Sequence, residues 1–226
     1  MSAARNPLVV ALDTSDLDAA ASLAEALAGA VGMAKVGLEL FTAVGPSAVS
    51  RVGKHLPVFL DLKLHDIPTT AGRAARNAGR LGAGMLTVHA LGGPEMVRAA
   101  VDGAAEGAAE AGKAPPEVVA VTVLSSLAEA AGASPASLAF EAVTAGARGA
   151  VVSGDDVKDV RDALGEDPVL VVPGIRPSGA RSNDHARVLT PAEAMEAGAD
   201  RLVVGRPITE STDPAAAARA ILEEIR

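Results

Sequence analysis

The apolar positions of this chain fall into two rhythms. Short runs rich in Val, Leu and Ile recur at Leu8–Asp13, Met33–Gly37, Val58–Lys63, Met85–His89, Val118–Val123, Gly149–Ser153, Val169–Val172 and Arg201–Val204. Their hydrophobicity is continuous rather than alternating, which marks strands covered on both faces. Between them lie Ala-rich segments of helical character at Asp16–Ala28, Pro46–Lys54, Thr69–Leu81, Gly93–Ala111, Pro135–Ala145, Asp155–Leu164 and Pro191–Ala197, and a last one at Pro214–Ile225. No long insertion, linker or low-complexity segment interrupts the alternation. The pattern predicts an α/β fold, a single-domain (β/α)8 TIM barrel over residues 1–226. A doubly wound open sheet alternates in the same way, but eight evenly spaced units favour closure.

A barrel of this kind carries its chemistry at the C-terminal ends of the strands, and the polar residues collect there. Asp13 follows the first strand and Lys35 lies late in the second. Asp61 and Lys63 end the third, His89 the fourth, and Ser125 and Ser126 follow the fifth. Arg176 follows the seventh, and Gly205 with Arg206 the eighth. The strand interiors are nearly devoid of polar side chains.

Composition narrows the classes open to such a barrel. With 226 residues, 49% of them hydrophobic and 21% charged, the chain can bury one sizeable core. No apolar run approaches the ~18 residues of a membrane span. The start, MSAARNPLVVALD, lacks the apolar stretch and cleavage site of a signal peptide. Cysteine is absent, which excludes disulfides and thiolate metal sites. A cytoplasmic location is expected. The net charge of -8 opposes non-specific nucleic-acid binding. Tyr and Trp are missing and there are three Phe, so a ligand must be met by backbone groups, short polar side chains and aliphatic walls.

The densest chemistry is the segment DLKLHDIPTT, Asp61–Thr70. Residues i and i+2 of a strand share a face, so Asp61 and Lys63 leave the strand end side by side. Asp66 adds a second carboxylate where Ile67-Pro68 opens a helix, and Lys35 supplies another cation from strand two. Mutual neutralisation at the barrel mouth is one reading, with Asp66 serving as a helix N-cap. Four such residues at strand ends favour a functional one. Flanking carboxylates stabilise the ammonium form of Lys63, suiting it to donate a proton or to position a substrate anion.

A second constellation suits phosphate. Loops after strands seven and eight of barrels often bind it. Val203-Val204-Gly205-Arg206-Pro207 offers a close backbone approach and a fork of donors, and Pro173-Gly174-Ile175-Arg176-Pro177 adds a second Arg. The polar stretch Ser178–Arg187, SGARSNDHAR, reads either as a solvated loop or as a lid that excludes water. Ser125-Ser126 lack a Gly-x-Ser-x-Gly elbow and read as binding residues. His55, His65, His89 and His185 show no metal-ligand spacing. His55 reads as a surface residue, and His89 as a cap of strand four.

VALD at Val10–Asp13, KVGLELF at Lys35–Phe41, DLKLHDIPTT, VTVLSS at Val121–Ser126, PGIRP at Pro173–Pro177 and VGRPIT at Val204–Thr209 resemble, in order and spacing over nearly the whole chain, orotidine 5'-monophosphate decarboxylase of the bacterial type. The resemblance implies decarboxylation of orotidine 5'-phosphate to UMP with no cofactor and no metal. Lys35, Asp61, Lys63 and Asp66 resemble the family's catalytic charge network, with Asp66 reaching into the partner's site of a homodimer. Asp13 and Lys35 resemble its ribose contacts and Thr70 a further ligand contact. Ser125 resembles its pyrimidine-side contact, with Ser126 the neighbouring candidate. Arg176, Gly205 and Arg206 resemble its phosphate site.

Two positions depart from the family pattern. His185 stands where the lid commonly carries the Gln that links phosphate to the closed loop. Leu91 stands where a Ser often follows strand four. The competing readings are a Mg²⁺-dependent barrel relative (hexulose-phosphate synthase or ketogulonate-phosphate decarboxylase) and a non-catalytic phosphate-ligand barrel. The Mg²⁺ enzymes place a carboxylate near strand two, where Lys35 would repel the ion. Intact Lys63 between two Asp residues counts against the non-catalytic reading.

Overall fold

The computed structural model describes residues 6–122, 134–177 and 189–225. Eight strands, β1 (Leu8–Ala11), β2 (Met33–Gly37), β3 (Val58–Leu64), β4 (Met85–His89), β5 (Glu117–Val121), β6 (Gly149–Val151), β7 (Val169–Pro173) and β8 (Arg201–Val204), pair in parallel and in sequence order, and β8 pairs with β1 to close the barrel. The helices are α1 (Leu17–Ala26), α2 (Leu38–Val44), α3 (Ser47–Val52), α4 (Pro68–Leu81), α5 (Gly93–Glu110), α6 (Pro135–Thr144), α7 (Val157–Leu164), α8 (Pro191–Glu196), α9 (Arg206–Thr209) and α10 (Pro214–Glu224). Short 3-10 turns at Ala90–Gly92 and Gly154–Asp156 follow β4 and β6.

Local chemistry sets the helix starts. The Asp16 carboxylate accepts from the Asp18 and Ala19 N–H groups ahead of α1. Asp213 does the same for Ala216 at α10, and Thr190 with Glu193 forms a reciprocal capping box at α8. Two helices were not expected. α2 lies in a Leu-Glu-Leu-Phe run that follows β2 without a turn signal, and α9 occupies the stretch read as a phosphate loop.

Strand alternation divides the apolar residues between two cores. Val10, Val36, Leu60, Leu86, Ala120 and Leu170 face outward, under the helices. Val9, Ala11, Met33, Phe59, Met85, Val119, Val171 and Val203 face inward and fill the barrel. The interior is therefore an apolar plug, and polar side chains of the same parity fall at its two ends. Lys35, Asp61 and Thr87 lie two residues beyond Met33, Phe59 and Met85 toward the C-terminal mouth. Glu117 and Arg201 lie two residues before Val119 and Val203 at the N-terminal mouth.

Helices α4 and α5 pack at backbone distance. A Cβ at Gly107 would stand 1.9 Å from the Arg76 carbonyl oxygen, and one at Gly103 would stand 2.2 Å from that of Gly72. Arg76 and Arg80 also reach across to Glu110. Gly107→Ala forces the two helices apart and is expected to destabilise the fold by about 1–3 kcal/mol, the usual range for overpacking. A lowered urea midpoint with unchanged slope checks it.

Arg161 pins α7 to the strands beside it. Its buried guanidinium donates to the carbonyls of Gly165, Pro168 and Gly198 and to Asp200, whose carboxylate also accepts from the Leu170 N–H. These contacts gather at the N-terminal ends of β7 and β8.

Candidate active site

Asp13, Lys35, Asp61 and Lys63 form one chain of alternating charge across the ends of β1, β2 and β3. Strand register brings them there, since Ala11 pairs with Lys35 and Gly37 with Asp61. Lys35 Nζ donates to Asp13 Oδ1 at 3.1 Å and lies 3.7 Å from Asp61 Oδ2. Lys63 Nζ donates to both Asp61 oxygens, at 2.9 and 2.8 Å. Lys35 and Asp61 side chains are 14% and 12% exposed, whereas Lys63 is 32% and Asp13 61% exposed. The central carboxylate thus sits between two ammonium groups, which lets like charges on β2 and β3 share a partly desolvated mouth. A Cβ at Gly37 would stand 3.2 Å from Lys35 Nζ, so glycine there keeps the lysine's space open.

Lys63 does not follow simple strand alternation. Its φ is +50°, the only positive value among the described non-glycine residues. The β3–β4 pairing shifts from Leu60↔Leu86 to Leu64↔Val88, so β3 is bulged between them. The Lys63 N–H donates to the Thr87 hydroxyl at 2.8 Å, and that hydroxyl donates to Asp61 Oδ1 at 2.9 Å. Thr87 is fully buried. It was not singled out in the sequence, where the one signal was a lone hydroxyl in the apolar run MLTVH.

Asp66 and Thr70 are exposed. Asp66 Oδ1 accepts from the Ile67 N–H, and Ile67 takes the cap position of α4 with Pro68 behind it. The reading of Asp66 as the helix cap is thereby corrected: the Pro at the first helical position moves the boundary one residue on. Among the described residues Asp66 makes no salt bridge, so it stands apart from the Asp13–Lys35–Asp61–Lys63 chain.

His89, expected as a cap of strand four, ends β4 and caps the 3-10 turn that follows, accepting from the Leu91 N–H through Nδ1 at 3.4 Å. Its ring stacks on His65 with centroids 5.1 Å apart. Burial, then the nearby His65 and Lys63, holds the His89 pKa below the usual imidazole value, which favours the neutral ring that this bond requires.

The expected phosphate residues lie at the ends of adjacent strands. Arg176 follows β7, where its N–H donates to the Leu189 carbonyl. Gly205 precedes α9 directly after β8, and Arg206 is exposed at the start of that helix. A Cβ at Gly205 would stand 3.9 Å from Asp13 Oδ2, so this loop borders the charge chain. Ser125, Ser126, His185 and the Ser178–Arg187 segment lie outside the described residues. Among the described residues no group of three or more His, Asp or Glu side chains could hold a metal ion, and no helix is long and apolar enough to cross a membrane. A cavity of about 900 Å³ opens at the opposite, N-terminal mouth, lined in part by Lys113, Glu117 and Arg201. None of the residues above borders it.

Comparison with known proteins agrees with this geometry. The model of the orotidine 5'-phosphate decarboxylase / HUMPS family matches residues 6–221. Orotidine 5'-phosphate decarboxylase of Anaeromyxobacter dehalogenans is 54% identical over 227 residues, covering 95% of this chain and 96% of that one. The enzyme of the same name from Paramagnetospirillum magneticum is 50% identical over 232 residues, covering 97% and 98%. The crystal structure of orotidine 5'-phosphate decarboxylase from Lactobacillus acidophilus superposes with a TM-score of 0.83 at 36% identity, covering 98% of this chain and 99% of that one.

Proposed function

The chain belongs to the orotidine 5'-phosphate decarboxylase / HUMPS family, and from that premise we propose that it removes CO₂ from orotidine 5'-phosphate to leave UMP, using its own side chains alone. The observation that carries this reading is the Asp13–Lys35–Asp61–Lys63 chain at the barrel mouth. The bond from C6 to the carboxylate breaks, its electron pair stays on C6, and CO₂ departs. The ring π system cannot delocalise that pair, so stabilisation must come from charge placed beside it before the reaction. Lys63 supplies that charge, then gives C6 a proton and recovers one from solvent. Asp61 borders the substrate carboxylate and disfavours the ground state, and Lys35 offsets part of that repulsion.

The rest of the ligand has its own contacts. Asp13 and Lys35 take the ribose hydroxyls, Thr70 adds a contact, and Ser125 or Ser126 meets the pyrimidine. Arg176, Gly205 and Arg206 take the phosphate, with His185 a further candidate contact. An extra short helix after β8 is a common phosphate site in barrels, and α9 is such a helix. Phosphate binding so remote from C6 supplies energy for alignment and closure.

The active form is a homodimer in which Asp66 enters the partner's site. Asp66 is exposed and makes no salt bridge among the described residues, and apolar Leu38, Ile67 and Leu91 stand 52%, 66% and 45% exposed on the same C-terminal rim. Both substrate and product are soluble nucleotides, which supports a cytoplasmic site of action.

The Mg²⁺-dependent relatives are disfavoured by Lys35, whose ammonium 3.7 Å from Asp61 Oδ2 competes with a cation there. Purified protein given orotidine 5'-phosphate in excess EDTA should form UMP and CO₂ in equal amounts. No UMP, or a strict need for Mg²⁺, sinks the proposal.

A further inference from the structure

We propose that Thr87 is a positioning residue for the decarboxylation, holding both the Asp61 carboxylate and the backbone of Lys63 in their working geometry. The proposal rests on the function proposed above and deepens it.

A hydroxyl has one proton to give and lone pairs to accept with. The Lys63 N–H can only donate, so its 2.8 Å bond makes Thr87 Oγ1 the acceptor there. The hydroxyl proton is then committed to Asp61 Oδ1, 2.9 Å away. That oxygen already accepts from Lys63 Nζ, and the other carboxylate oxygen accepts from the same ammonium. The carboxylate plane is thus held by β4 on one side and by the lysine on the other. Threonine suits the task because its branched Cβ leaves χ1 few choices.

The same bond accounts for the backbone of Lys63. The bulge takes its N–H out of the β3–β4 ladder, and a buried N–H without a partner is strongly disfavoured. Thr87 replaces the missing ladder acceptor and so holds a non-glycine residue at φ +50°. Strained backbone persists where its surroundings over-determine it, and such sites cluster where geometry serves function. Here the strain aims Nζ back onto Asp61 rather than along the strand.

The test compares Thr87→Val, Thr87→Ser and Thr87→Cys with wild type, reading kcat, KM and UMP affinity. Loss of the hydroxyl in Thr87→Val should lower kcat by about 10²-fold, as expected when catalytic groups lose their alignment, while KM and UMP affinity stay within about threefold. Thr87→Ser keeps the hydroxyl and should retain kcat within about threefold. Thr87→Cys, a similar volume with a weaker donor, should fall between them. An unchanged kcat in Thr87→Val, or a loss in Thr87→Ser equal to that in Thr87→Cys, overturns the proposal. If Thr87→Val does not fold, the Ser and Cys pair decides by that criterion. Wild-type protein that makes no UMP overturns the proposed reaction instead, a result distinct from active wild type with indifferent Thr87 variants.

Discussion

Lys63→Ala should abolish decarboxylation, lowering kcat by at least about 10⁴-fold, because it removes a proton donor and a preorganised charge together. Lys35 cannot take over. Its Nζ lies 3.1 Å from Asp13 and on the far side of the Asp61 carboxylate, and reaching C6 would break both contacts. The fold should survive, since Asp61 keeps the Lys35 ammonium and the Thr87 hydroxyl as partners. UMP affinity should change little by comparison, because the proposed phosphate contacts, Arg176, Gly205 and Arg206, follow β7 and β8 rather than β3, which carries Lys63. Single-turnover assays of UMP formation, with calorimetry of UMP binding, separate the two effects. A loss smaller than about 10²-fold would falsify the assignment of Lys63 as the proton donor.

How much of this site could be read in advance follows from how local each signal is. Strands covered on both faces announce themselves as apolar runs, and all eight begin at the residue expected or within one of it, β1 at Leu8 and β8 at Arg201 among them. Lys35 and Asp61 were legible because barrel strands end at the active face, so a charge late in an apolar run has few other meanings. Thr87 was not, because its importance depends on a β3 bulge formed across strands, more than twenty residues earlier in the chain. Nothing in DLKLHD marks Lys63 for positive φ, a conformation the tertiary contact imposes. α2 was lost for a different reason. Leu38 to Phe41 continues the apolar run of β2, and hydrophobicity alone does not separate the end of a strand from the start of a buried helix. The inward charges Glu117 and Arg201 stand at the N-terminal mouth, where barrels invest in stability rather than chemistry, and strand parity alone places them there.

Asp66 gives the second large effect, and it appears only when two damaged subunits meet. Asp66→Asn and Lys63→Ala should each be inactive, the former by at least about 10²-fold through loss of a charge from the network. If Asp66 serves its own chain, every mixed dimer carries one lesion per site and mixing restores nothing. If it crosses a two-fold interface, the mixed dimer holds one site with both lesions and one with none. Random exchange makes about half the dimers mixed, so about a quarter of the wild-type sites return. The crossing is proposed because Asp66 turns its carboxylate to the Ile67 N–H rather than to Lys63, and Ile67 presents an exposed apolar side chain beside it. Native mass spectrometry must show that subunits have exchanged before the activity is read. Exchange without recovered activity would remove Asp66 from the partner's site and leave its carboxylate a role at the helix entrance of its own chain.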